Sequence, residues 1–206
     1  MEFINLILAL VIVITIHEFT HAWVANYFGD PTAKLHGRLT LNPLAHLDPL
    51  GTLMIFLIRI GWGKPVPVNP AYFKNPKRDE AITAVAGPLS NLAMAALLAI
   101  PLKYFGARMS PVIATFLATV LDISIILFAF NMLPFPPLDG SKFLQLLMPK
   151  RFERVYEQYL RNGSMYFIGF LLIDNFILAK YFGFSVLSLF IGEIYTFVKA
   201  AVFLGT

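Results

Sequence analysis

Residues 3–28 read FINLILALVIVITIHEFTHAWVANYF, a run in which Glu18 is the only acid and no residue is basic. About 20 mostly apolar residues suffice to cross a bilayer as a helix, so this stretch is predicted to be a membrane-spanning helix. Its strongly polar groups gather in His17-Glu18-Phe19-Thr20-His21. Two imidazoles and a carboxylate near hydrocarbon are costly unless they have partners or a task. The run has no basic start, because the first lysine is Lys34, and a disposable leader has no use for His17, Glu18 and His21; it is read as a mature helix rather than a signal peptide.

The composition agrees with a membrane setting. Of 206 residues, 58% are hydrophobic and 14% charged, against ~25% charged in ordinary globular domains, and mean hydropathy is +0.71. Such a chain is neither an ordinary soluble domain nor disordered. With no cysteine, disulfide scaffolds, thiolate metal sites and cysteine nucleophiles are excluded. Further spans are expected at Ala81–Lys103, Val112–Asn131, Met165–Leu178 and Ser185–Phe203, about five in all. Thr52–Ile60 is too short to cross and contains Arg59, so it is read as re-entrant or interfacial. The proline-spaced Gly63–Pro70 stretch is expected to be extended, as part of a small β-hairpin. The fold class is therefore an all-α polytopic membrane protein with a small re-entrant or hairpin segment.

Five spans place 13 of the 16 Lys and Arg residues on one side and Lys103, Arg108 and Lys180 on the other. The richer side is expected to be cytoplasmic, with the N-terminus outside. The net charge of +4 then reflects basic loops and not nucleic-acid binding.

The chemistry lies in the first span. His17 and His21 are one helical turn apart and can meet one metal ion, while Glu18, about 100° round the axis, can take a proton from a water beside it. This is the two-ligand-plus-base logic of H-E-x-x-H zinc hydrolases. About 21 Å along the helix from Phe3, at 1.5 Å per residue, His17 falls past the bilayer midplane. A catalytic zinc takes three protein ligands and leaves one position open. By residue type the third could be His36, His46, Asp122, Asp139, Asp174 or Glu193. Asp139 could equally cap a helix over Ser141–Met148, and His46 is expected on a surface loop.

The pair of motifs His17–His21 and Asn131-Met132-Leu133-Pro134-Phe135-Pro136-Pro137-Leu138-Asp139-Gly140 resembles the site-2 protease family of intramembrane zinc metalloproteases, whose patterns are HExxH and NxxPxxxLDG. Gly87-Pro88-Leu89-Ser90-Asn91 resembles that family's middle segment. Asn42-Pro43, Asp48–Thr52 and Lys64–Pro70 resemble its compact bacterial and archaeal members, without the PDZ or CBS domains of some relatives. The likeness covers residues 1–148, the expected catalytic core with three central helices; residues 149–206 form a C-terminal pair of helices read as cover for that core.

The resemblance implies one catalytic zinc on His17, His21 and Asp139, with Glu18 as the base. Asn91 or Asn131 is a candidate to stabilise the oxyanion or hold the substrate, with helix–helix hydrogen bonding an equal alternative. It also implies a cell-membrane endopeptidase cutting transmembrane segments of protein substrates, with the site toward the cytoplasm. A substrate helix must unwind first, and the freed strand could add to an extended edge at Gly63–Asn69 or Pro134–Pro137. The competing readings are a divalent-metal transporter, which calls for ligands spaced along a route and often inverted repeats, and a catalytically silent membrane-binding relative.

Overall fold

The computed structural model describes residues 2–49, 51 and 63–203. Its described α-helices are α1 (Glu2–Tyr27), α2 (Thr32–Leu35), α3 (Pro76–Phe105), α4 (Pro111–Asn131), α5 (Asp139–Leu147), α6 (Glu153–Ile173) and α7 (Val186–Val202). A wider π-type stretch, Asp174–Phe182, prolongs α6. Proline opens both α3 and α4, where its missing N–H has no intrahelical partner to lose. Ser110 and Ser185 cap α4 and α7 by accepting from backbone N–H groups of their first turns.

Among the described residues, four helical stretches are long and apolar enough to cross a membrane: Phe3–Tyr27, Pro76–Arg108, Pro111–Asn131 and Lys150–Phe182. The protein is all-α and multi-pass. The expected fourth span, Met165–Leu178, is the inner part of a much longer helix. The expected fifth is helical too, but α7 has 17 residues, about 25 Å at 1.5 Å per residue against a ~30 Å hydrocarbon core. The chain breaks between the two at Gly183, whose φ is +73°, and Asp174 caps the new helix: its Oδ2 accepts from the Ser185 hydroxyl at 2.6 Å and its Oδ1 from the Val186 N–H at 2.7 Å.

α1, α3 and α4 pack against one another. Ala9 and Val13 of α1 meet Val120 and Ile123 of α4, and Ala95 and Ala99 of α3 meet Leu121 and Ile125. Small residues at these seams let the backbones approach, which is how apolar helices associate when lipid competes for the larger side chains. Leu8, Trp23, Leu97, Ile113 and Ile126 point outward, as lipid-facing residues do.

Thr52–Ile60, read as re-entrant, lies outside the described residues. Among the described residues the loop contains no strand; one isolated antiparallel bridge joins Leu47 to Gly63. Pro65 and Pro67 supply no N–H, so a regular ladder cannot continue along this segment. His46, expected at the surface, is fully buried. Its Nε2 donates to the Thr40 carbonyl at 2.7 Å and its own carbonyl accepts from Lys64 N–H at 2.8 Å. It holds the loop together from inside.

Candidate metal centre

One turn apart on α1, the His17 and His21 rings meet edge to face with centroids 4.6 Å apart. Their Nε2 atoms lie 3.0 Å from each other. Asp139 reaches them from the turn after α4. There Tyr159 donates to the Pro134 carbonyl at 2.8 Å and Tyr156 to the Ser141 carbonyl at 2.7 Å. Gly140 lies so close to the Met132 carbonyl that a Cβ could not fit. Asp139 begins α5 but makes no capping bond. Its Oδ2 instead lies 3.2 Å from His17 Nε2 and 3.3 Å from His21 Nε2.

Three ligand atoms thus form a triangle with sides of 3.0, 3.2 and 3.3 Å. Zinc bonds of ~2.0–2.1 Å in a tetrahedral site put neighbouring ligand atoms about 3.3 Å apart, so the triangle fits one face of such a site. The chemistry fits as well. His21 Nδ1 lies 2.7 Å from the Thr83 carbonyl. A carbonyl only accepts, so Nδ1 carries the proton and Nε2 presents a lone pair. That lone pair faces a carboxylate oxygen and a second imidazole nitrogen in a buried place, an arrangement that calls for a cation. Among the described residues this is the one group of three His or carboxylate side chains that could hold a metal ion.

A cavity of about 190 Å³ opens beside the triangle. His17, Glu18, His21 and Asp139 line it together with Val66 and Val68 of the extended segment 63–69, which crosses over the site as a strap. Val66 N–H donates to Glu18 Oε2 at 3.1 Å. Arg38, almost completely buried, donates one guanidinium nitrogen to the Lys64 carbonyl and another to the Pro65 carbonyl. Burial lowers the Arg38 pKa and the Glu18 charge acts the other way. The far end of the strap is fixed by the buried Asp30, whose Oδ2 accepts from Asn69 N–H at 2.7 Å. Glu80 and Lys142, paired at 3.2 Å, sit at the rim.

The remaining candidates disperse. Asn131 lines the cavity, with its amide donating to Leu127 of its own helix at 3.0 Å. Asn91 is fully buried and faces the back of the His17 ring. His36 is exposed at the end of α2. Asp122 pairs with Lys199 at 2.8 Å, Asp174 caps α7, and Glu193 is exposed. Arg38, Thr83, Asp30 and the rim pair escaped the sequence reading. Arg38 acts on backbone carbonyls and Thr83 through its own, so neither left a signal in its side-chain pattern.

A model of Peptidase family M50 matches residues 106–173. A Bacillus subtilis protein named as a candidate zinc metalloprotease, YwhC, is 39% identical over 170 residues, which cover 79% of this chain and 78% of that protein. Rip2 of Mycolicibacterium smegmatis, named in the same way, is 32% identical over 67% of this chain and 55% of its own length. Rip2 of Mycobacterium tuberculosis strain H37Rv is 29% identical over 83% of this chain and 66% of its own. No solved structure matches the chain.

Proposed function

The chain belongs to peptidase family M50, the site-2 protease family, and is a membrane metalloprotease; from that premise we propose that it is an intramembrane zinc endopeptidase cutting transmembrane segments of protein substrates. The observation that carries this reading is the convergence of three lone-pair donors on one point, with a carboxylate from the next residue of the same helix in the same cavity. His17, His21 and Asp139 would hold one zinc ion. When bound, zinc supplies Lewis acidity, which acidifies water and polarises a peptide carbonyl.

Glu18 receives a proton from the attacking water at a carboxylate oxygen as the new C–O bond forms. It returns that proton to the amine nitrogen as the C–N bond breaks. Its other oxygen is steadied by Val66 N–H, so the base is oriented by the strap. Asn131 stands in the cavity wall, within the space a peptide would fill. Val66 and Val68 line the same wall, which supports docking of an unwound substrate strand against the strap, or against Pro134–Pro137. The buried Phe167, packed with Leu133 and Leu138, holds the latter turn in place.

The excess of basic loop residues on the side of the strap supports a site open to the cytoplasm of the cell membrane and an N-terminus outside. Because the chain has no native cysteine, single cysteines at His36 and Ala107 can be tested with a membrane-impermeant thiol reagent on intact cells; labelling at 107 and protection at 36 is the expected result. For the reaction itself, purified protein is incubated with single-span substrates. Cleavage should stop with a zinc chelator, return with zinc, and be lost in Glu18→Gln with zinc still bound. Cleavage by Glu18→Gln at the wild-type rate would overturn the proposal. The single metal-type cluster among the described residues favours this reading over a transporter.

A further inference from the structure

The two histidines are supported from behind by one helix. On α3, Thr83, Gly87 and Asn91 recur every four residues and share a face. Thr83 gives its carbonyl to His21 Nδ1 at 2.7 Å. The Asn91 side chain sits at the matching place behind His17, its amide nitrogen 3.0 Å from His17 Nδ1. Between them Gly87 leaves the space that the rings occupy: a Cβ there would collide with His21 Nε2 and stand 2.8 Å from His17 Cε1.

We propose that Asn91 is a positioning residue for His17, its amide oxygen accepting the Nδ1 proton of His17 when Nε2 holds the metal. The inference rests on the zinc reading above. A neutral imidazole has one donor and one acceptor nitrogen. A metal on Nε2 therefore puts the proton on Nδ1, where it needs an acceptor. Asn91 Oδ1 is buried and has no hydrogen-bond partner among the described residues, and the side chain is wholly enclosed. A half-turn of the amide exchanges its nitrogen and oxygen without changing its shape. It brings Oδ1 to Nδ1, gives that oxygen its partner and turns the amide nitrogen to the place where Oδ1 stood. Each histidine then has an acceptor behind it, a backbone carbonyl for one and a side-chain amide for the other, fixing both rings with Nε2 forward. Asn91 is not in the cavity wall, so this assignment separates it from Asn131, which is.

Zinc affinity tests this without reference to turnover. Wild type, Asn91→Ala and Asn91→Asp are purified in detergent and titrated with zinc against a chromophoric chelator. Asn91→Ala should bind about 10- to 100-fold more weakly, the usual effect of removing a ligand's hydrogen-bond partner. Asn91→Asp, which accepts but cannot donate, should restore affinity toward wild type. Wild-type affinity in Asn91→Ala with only turnover lost would overturn the proposal in favour of a substrate contact. Equal weakness of Asn91→Asp and Asn91→Ala would overturn it in favour of an amide donor. A wild-type protein that takes up no zinc would overturn the metal reading, and this inference with it.

Discussion

Two polar clusters are embedded among the apolar helices, and they are built on opposite plans. In one, Asp122 of α4, Tyr195 and Lys199 of α7 satisfy each other: both the tyrosine hydroxyl and the ammonium donate to Asp122 Oδ1 at 2.8 Å. Acid meets base and every charge is answered. In the other, His17, His21 and Asp139 turn acceptors toward one another, and what would balance them is a cation. Ionisable groups within a membrane are functional candidates by default; the two clusters differ in whether donors and acceptors are matched within the protein. The first, closed cluster fastens helices, whereas the second, open cluster brings three possible ligand atoms to one point.

That contrast can be broken most easily at the open cluster. Asp139→Ala leaves two ligands, and metal content after dialysis should fall to background with cleavage abolished; full zinc occupancy in that variant would refute the assignment. Glu18→Gln should keep its zinc while turnover drops about 10²- to 10⁴-fold, the range for a lost general base. Arg38→Ala releases the strap without touching a ligand. Zinc content should stay at the wild-type level while cleavage falls about 10- to 100-fold through misplacement of substrate and base, with a kinetic assay showing the change. Asp122→Asn, at the closed cluster, should leave zinc and turnover alike unchanged. It should lower the melting temperature by about 1–3 °C, given the modest worth of one polar contact between membrane helices.

The two clusters also differed in how far the sequence exposed them. His17, Glu18 and His21 could be read directly, because i and i+4 neighbours on a helix are local geometry. Asp139 could not be chosen from six carboxylates and histidines by spacing; motif resemblance singled it out, and the turn after α4 shows why, since Gly140 and the two tyrosines hold it in place. Asp174 was a possible third ligand by residue type, and its use as a cap depends on a helix break that hydropathy does not register. His46 seemed a surface residue because nothing in its neighbourhood announces that the strap will fold back over it. Arg38 donates to backbone carbonyls and Thr83 offers its own as an acceptor, and carbonyls are the same at every position.

α7 is pinned near both ends. Asp174 holds its first turn, and Lys199, in its last turn, holds Asp122, while Lys103 reaches the Phe203 carbonyl at 3.0 Å just beyond. A panel riveted at top and bottom does not swing. Moving α7 aside would require shearing polar fastenings at both of its ends.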